Sequence, residues 1–324
     1  MVPGPRISVF QSAHELLQVR STWQSILSAT ARTIFQDFEL NLLAASLFSG
    51  REQPVVICAE GSHGTAIVPA ALRCDGSLGL LGEELFDYRS VLHRGDPQIL
   101  RAALGRLAGF GRPLEIKAVR EIEASTLPED LPLRTFCCAP SVDCGRVTAD
   151  EFSTAHSRLG RNLRRLARLG FALRRYSGDY PGLIRFIYGR KAAQTPNCLF
   201  RDPLRIEFMV QTAELLGKRF EVFTLEDEVS IGAAVVTLRE EGCRRFYTGW
   251  FSPELEKHSP ALSLIYEITR HSLAEGLDCD YMTGEQPYKL RLANGSMPLY
   301  RVHATAEQLA VFSQEPSAEL TQAA

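Results

Sequence analysis

The sequence predicts an α/β protein with mixed sheets, built as two successive units. Three observations carry that expectation. The chain has 324 residues, 45% of them hydrophobic, about twice an ordinary domain of ~150 residues and enough to fill two cores. Its second half reads as strand, two helices, a three-strand meander, helix, strand and closing strand, and a meander followed by a crossover helix demands both antiparallel and parallel pairs in one sheet. Between the halves, Glu123–Val142 carries Pro128, Pro132 and Pro140 with little periodicity and reads as a connection. The expected units are therefore 1–145 and 146–324.

In the first half, apolar residues recur at three- and four-residue intervals over Ala13–Ser28 and Gln36–Phe48, which predicts helices. The runs PVVICA (Pro54–Ala59) and TAIVPAAL (Thr65–Leu72) are bounded by turn residues and predict strands, as does the short Leu78–Leu81. A helix over Pro97–Leu107 and a strand over Leu114–Val119 follow. In the second half, Asp150–Leu169 predicts a basic amphipathic helix with Leu159, Leu163 and Leu166 in one stripe. After it come a strand (Phe171–Tyr176), helices over Tyr180–Ala193 and Pro203–Leu216, and a meander of Phe220–Leu225, Ser230–Leu238 and Arg244–Phe251. A crossover helix (Pro260–Ala274), a strand (Asp278–Thr283), a short segment (Gln286–Ala293) and a last strand (Pro298–Thr305) complete the pattern. A mixed sheet of this kind opens its site where strands diverge around the crossover, here between Phe246–Phe251 and Asp278–Thr283.

A formal charge of −2 from 36 basic and 38 acidic residues argues against bulk binding of DNA or an acidic membrane, so any anion site is local. Thirty-one of the 36 basic residues are Arg. The eight cysteines form no Cys-x-x-Cys and have no His at ligand spacing, which gives no support to a metal site or thioredoxin-like chemistry. The N-terminal residues show no export signal, and no window approaches ~18 uninterrupted apolar residues. A cytoplasmic location is the expectation.

The chemistry concentrates after the meander. Ser259 followed by Pro260 fits a helix N-cap and first helical position. From His258 to Tyr266 there is no Asp or Glu, so the positive end of that helix is open to an external anion such as a phosphate. Beyond the helix come Asp280, Tyr281, Gly284, Tyr288 and Lys289. A carboxylate at a strand end, or a buried lysine, can transfer a proton or steady charge at a reacting carbonyl. Spacing alone leaves each of these open between such a role and an ordinary structural one.

Together, FSPELEKHSPALSL and GLDCDYMTGEQPYK resemble the acetyltransferase-like family associated with bacterial cellulose and exopolysaccharide biosynthesis, often called CelD-like. That family belongs to the GNAT fold and is similar to the Fem-type aminoacyltransferases. Leu85-Phe86-Asp87-Tyr88-Arg89, and Leu163-Arg164-Arg165 with Gly170, also resemble its motifs. The chain departs from the pattern in having Ala261 where relatives show Gly, and in lacking the Gln/Arg-x-x-Gly-x-Gly/Ala loop.

The resemblance implies two tandem GNAT-like domains and acyl transfer from acyl-CoA, as co-substrate, to a small-molecule amine or hydroxyl in envelope or exopolysaccharide metabolism. It implies catalytic roles for Lys289, Asp280, Tyr288 and Asp87. Donor contacts would come from Tyr247, Gly249, Trp250, Phe251, Ser259, Ala261 and Leu262, and acceptor contacts from Tyr88, Arg190 and Glu285. No metal is implied. The seven arginines of Arg158–Arg175 form either a solvated face or a contact for a peripheral membrane or tRNA. Two other readings stay open at this point: a Fem-type transferase using aminoacyl-tRNA, and a catalytically idle GNAT-fold component of a polysaccharide machine. Oligomeric state is not legible.

Overall fold

A computed structural model describes residues 4–28, 33–82 and 84–313. The chain divides into two compact units, Met1–Phe136 with Leu299–Ala324, and Cys137–Pro298. It passes from one to the other within the strand β7 (Leu133–Val142) and again within β13 (Gly295–Ala304). The segment from Leu299 onward thus belongs with the first unit, whereas its sequence position suggested the second.

In the first unit the strands are β1 (Arg6–Phe10), β2 (Glu52–Gly61), β3 (Gly64–Arg73), β4 (Leu78–Leu80), β5 (Leu92–Gly95) and β6 (Leu114–Arg120). Their order is β1-β2-β3-β4-β6, closed by the end of β13, and β5 pairs with β3. The β4–β6 pair is parallel and the other pairs are antiparallel. The PVVICA run is continuous because both faces of β2 are covered. Val55, Ile57 and Ala59 face a core shared with the helix Pro97–Leu107, while Val56 and Cys58 face Leu16, Trp23, Ile26 and Phe38 of the N-terminal helices.

In the second unit the strands are β7 (Leu133–Val142), β8 (Ala172–Ser177), β9 (Phe220–Glu226), β10 (Ile231–Glu240), β11 (Cys243–Phe251) and β12 (Asp278–Asp280), and β13 (Gly295–Ala304) leaves it. Their order is β7-β12-β11-β10-β9-β8. The meander β9-β10-β11 is antiparallel, and β11 pairs with β12 in parallel across the helix Pro260–Ala274. That helix and Ser157–Arg168 cover one face, burying Leu159, Leu166, Leu264 and Ile268 against Phe223, Val235 and Cys279. Helices Pro181–Gln194 and Pro203–Leu216 pack against β11 and β9.

Two expectations are corrected. The Pro-rich connection begins within a short helix (Glu121–Ala124) and ends in the strand β7. The basic helix is broken at His156 into Ala149–Ala155 and Ser157–Arg168, the first held by a Thr148–Glu151 capping box.

Candidate functional site

The second unit's sheet splits at a definable residue. Strands β11 and β12 pair at Cys243 with Asp278, Arg244 with Cys279 and Arg245 with Asp280. Beyond Arg245, β11 runs on to Phe251 with β10 alone. The chain after Asp280 instead follows β7, through Tyr281 N–H to Pro140 O and Gly284 N–H to Cys138 O, both at 3.0 Å. The separation falls between the two segments named from the sequence. A β-bulge marks the same place: Val236 lies opposite Thr248 and Thr237 opposite Phe246, so Tyr247 is an extra residue in β11. Bulges bend a strand and re-aim its side chains.

The last paired position is an ion pair. Arg245 reaches Asp280 directly and holds Glu240 at 2.8 Å. Asp280 also accepts the Met282 N–H at 2.7 Å. Met282 has φ of 62°, a left-handed conformation that costs a non-glycine residue ~1–3 kcal/mol and persists only where its surroundings impose it. Lys289, 7% exposed, supplies the other restraint by donating to Met282 O at 3.3 Å and Thr283 O at 2.8 Å. Asp280 and Lys289 thus act from two sides on one strained turn, and the carboxylate expected to be a base is committed to a guanidinium and an amide. Burial pushes the Tyr288 phenol up, so it keeps its proton at neutral pH. Tyr281, 1% exposed, lies 2.9 Å from the Thr269 hydroxyl, and burial holds its phenol well above the usual range. Exposed Glu285 accepts from the Cys138 thiol, which burial and this bond push up against a hydrogen bond with Ser296.

At the other edge of the split, the helix Pro260–Ala274 follows a 3-10 segment, Pro253–His258. Ser259 does not cap it as its identity suggested. Its φ of 46° leaves it left-handed with no side-chain cap. The first turn carries no acid, and among the described residues the Ala261 and Leu262 N–H groups meet no protein acceptor. Two free amides at a helix start fit an external phosphate. In this respect the residues fit a phosphate-bearing co-substrate, with the Ala261 methyl at the same turn.

Sequence reasoning missed Lys191. From the helix Pro181–Gln194 its Nζ donates to Gly249 O on β11 at 3.1 Å, and burial pushes its ammonium below the usual lysine range. The two residues stand 58 positions apart, so no local pattern links them. On the same side of β11, Trp250 meets Phe186 edge to face at 5.6 Å, and Arg190 lies 5.3 Å over the Phe186 ring. Phe251 packs on the opposite core. Fully buried Glu221 was also unremarked. It accepts from Arg244 Nε at 2.9 Å and Thr237 at 3.1 Å and pairs with Arg175, a charge network low in the sheet where β11 and β12 are still joined.

Of the remaining site candidates, Asp87 and Tyr88 lie in the first unit. Tyr88 is a core residue there, 1% exposed, with its ring 6.1 Å from Phe35, its carbonyl accepting from Gln36 at 2.9 Å and Arg120 over it at 5.8 Å. Asp87 is partly exposed in the loop between β4 and β5.

Residues 153–290 match the family described as the acetyltransferase (GNAT) domain. The second unit has the GNAT fold. No curated protein matches the sequence significantly. The whole chain is similar in structure to a tandem GNAT protein from the clavulanic acid biosynthesis pathway, with TM-score 0.51, 10% identity, and 93% of this chain and 98% of that chain covered. It is also similar to a C-terminal domain attributed to a lysylphosphatidylglycerol synthetase of Agrobacterium fabrum (TM-score 0.57, 11% identity, covering 91% and 95%) and to L-PGS from Bacillus licheniformis (0.57, 9%, 90% and 95%). At these identities the likeness is one of fold, a mixed α/β protein of two tandem GNAT-like units.

Proposed function

We propose that the second unit transfers an acyl group from acyl-CoA to an amine or hydroxyl of a small acceptor. The observation that carries this reading is the parted parallel pair, bulged at Tyr247, with the unengaged Ala261 and Leu262 amides at the start of the connecting helix. Coenzyme A, when bound, supplies an activated thioester. In this reading the Ala261 and Leu262 amides receive its phosphates, and the edge of Tyr247–Phe251 that β12 does not pair lies along its acyl arm. The acceptor nitrogen or oxygen forms a bond to the acyl carbon as the C–S bond breaks. An amine acceptor, an ammonium at neutral pH, first gives one proton to water; the acceptor's remaining proton leaves to water as the bond forms, while Tyr288 gives its phenol proton to the departing sulfur and is reprotonated from water. Lys289 fixes the turn at Met282 and places a positive charge beside the split, where oxyanion charge develops. A setting in envelope or exopolysaccharide metabolism rests on the resemblance of the Asp280, Gly284, Tyr288-Lys289 set.

The test is thermal stabilisation of the full chain by acetyl-CoA and longer acyl-CoAs, with thiol release measured on adding candidate acceptors. A native-state ligand at ~100 times its Kd stabilises by about 2.7 kcal/mol. No melting shift with any acyl-CoA sinks the proposal.

A second reading, an aminoacyl-tRNA donor, is favoured by one observation. Arg158, Arg161, Arg164, Arg165 and Arg168 are all exposed, and among the described residues none pairs with a carboxylate. Their helix lies along Pro260–Ala274 and touches the 3-10 segment before it. Such a stripe suits a polyanion. Aminoacyl-tRNA protection of the chain, without acyl-CoA stabilisation, selects this reading. The name lysylphosphatidylglycerol synthetase, borne by one structural neighbour, is consistent with it.

A further inference from the structure

We propose that the first unit closes its own donor cleft with residues 84–91, so that one acyl-CoA binds per chain, in the second unit alone. The first unit parts a parallel pair as the second does. Strands β4 and β6 are joined at a single position, Leu78 with Leu114. Beyond it β4 turns to β3, through the Leu81 N–H to Pro69 O at 2.9 Å, and β6 follows β13. β6 is also bulged, with Lys117 and Ala118 opposite Arg301, and Ala118 has a φ of 55°. A parted pair with one bulged strand is the arrangement that the second unit offers to an acyl arm.

In the first unit the gap is filled from within. A strand edge freed by parting carries backbone groups that need partners, and on β6 the chain itself supplies them. Arg73 Nη2 reaches Glu115 O at 3.5 Å, Arg89 Nη1 donates to Lys117 O at 3.2 Å, and the Arg89 N–H donates to Ala118 O at 3.3 Å. Arg73 also lies against the bare Cα of Gly79 on β4, so its guanidinium spans the two strands where they part. Around Arg89, the side chains of Leu85, Phe86, Tyr88 and Val91 are each at most 5% exposed. Phe35 meets Phe86 at 5.6 Å and Tyr88 at 6.1 Å. What remains among Trp23, Phe35, Phe86 and Tyr88 is a cavity of about 10 Å³. That is room for one water, far below the ~300–1,000 Å³ of small-molecule sites.

The helix start is closed as well. At Pro97–Leu107 the Gln98 N–H is held by the Asp96 carboxylate at 2.9 Å and the Ile99 N–H by the Asp96 carbonyl at 3.1 Å, and proline has no N–H to offer. The amides in the same helical positions of the second unit, those of Ala261 and Leu262, are the ones that meet no protein acceptor. A carboxylate fixed at the positive end of a helix satisfies that pole and repels a phosphate. The places of the acyl arm and of the phosphates are thus both taken, by groups from separate segments of this chain.

This rests on the acyl-transfer reading only in taking acyl-CoA as the ligand; the closure is read without a donor. Equilibrium dialysis of radiolabelled acetyl-CoA against the full chain should saturate at one equivalent. Ala261→Glu should weaken that equivalent at least tenfold without uncovering another. In the ligand-free chain, hydrogen–deuterium exchange should find the Phe86 and Arg89 amides as slow as those of β3, within about tenfold, because core segments open only with the whole unit. Two equivalents, one equivalent that Ala261→Glu leaves at full affinity, or exchange over 84–91 at the rate of an open loop overturns the proposal. Slow exchange with no acetyl-CoA bound keeps the closure and removes the donor reading. Fast exchange with a single equivalent that Ala261→Glu abolishes does the reverse.

Discussion

The substitution Asp280→Asn separates a base from a strand pin. The carboxamide that replaces the carboxylate would still accept the Met282 N–H, so the turn keeps that bond and only the charge is lost. Arg245, with 8% of its side chain exposed, would retain Glu240 at 2.8 Å but lose the partner in register with it across β11 and β12. Removing one member of a buried pair costs ~3–5 kcal/mol, and the surviving carboxylate puts this case near the low end, about 3 kcal/mol. For a domain of this size ~1 kcal/mol moves the melting temperature by about 2–4 °C, so the second unit should melt about 6–12 °C lower. Differential scanning calorimetry of the full chain reads this directly. Once acyl transfer is assayed, kcat at a temperature well below both transitions should fall by less than tenfold. A melting change under ~2 °C joined to a loss of ~10² or more in kcat, the scale of general-base catalysis, would refute the pin and restore Asp280 as the proton acceptor.

Three further outcomes follow from the same geometry. Burial alone would raise the Glu267 carboxyl, but hydrogen bonds from His271 and Arg270 outweigh it and hold the pKa at about 2, against an ordinary 4.5. A depressed carboxyl stabilises the fold above its unfolded pKa and loses that contribution as pH falls through the folded one. Wild type should therefore exceed Glu267→Gln in urea midpoint at pH 7, and the gap should close between pH 4.5 and about 2; a constant gap would discount the pair. Ala261→Glu places an anion at the positive helix end, worth ~0.3–1 kcal/mol in favour of folding. Calorimetry should show acetyl-CoA binding at least tenfold weaker at equal or higher melting temperature, and unchanged affinity would move the phosphates elsewhere. Lys289→Met strips two backbone carbonyls of their donor, a desolvation cost of ~1–3 kcal/mol each when buried. Melting should fall with turnover in this variant, while Tyr288→Phe should lose turnover alone; the opposite ranking would exchange the roles of Tyr288 and Lys289.

Much of the second unit was legible because its local signals agree with its global fold. Pro203–Leu216 and Pro260–Ala274 form with the bounds the sequence suggested, since each opens with proline at its first position, where the missing N–H costs nothing. The strand β7 was not legible. Leu133–Phe136 at its start is exposed, and its prolines read as a break, so no alternation or apolar run announces it. β1 and β5 are only 5 and 4 residues long, too short for a period to register. At the site, the open helix start was readable from an absence of acids, but the Ser259 backbone was not, because a serine before a proline ordinarily signals an extended cap. Lys191 and Glu221 depend on contacts between segments far apart in the chain, and residue type carries no trace of them.

What keeps β11 and β12 apart is a balance between local strain and packing. Nothing in residue type forbids a fourth parallel pair between Phe246 and Tyr281. The two rings instead meet edge to face at 5.1 Å, and the Tyr281 hydroxyl is anchored at Thr269 on the overlying helix, so the position after the ion pair is filled by side chains. On one side the extra residue Tyr247 shifts the β11 register; on the other, Met282 turns left-handed at ~1–3 kcal/mol, offset by Asp280 and Lys289. Either device alone would leave one strand straight and free to seek its neighbour, because unpaired strand amides are costly to bury. With both present, β11 keeps only β10 beyond Arg245, on its other edge, and the chain after β12 finds its partner in β7. The opening is therefore built into the sheet from both of its sides.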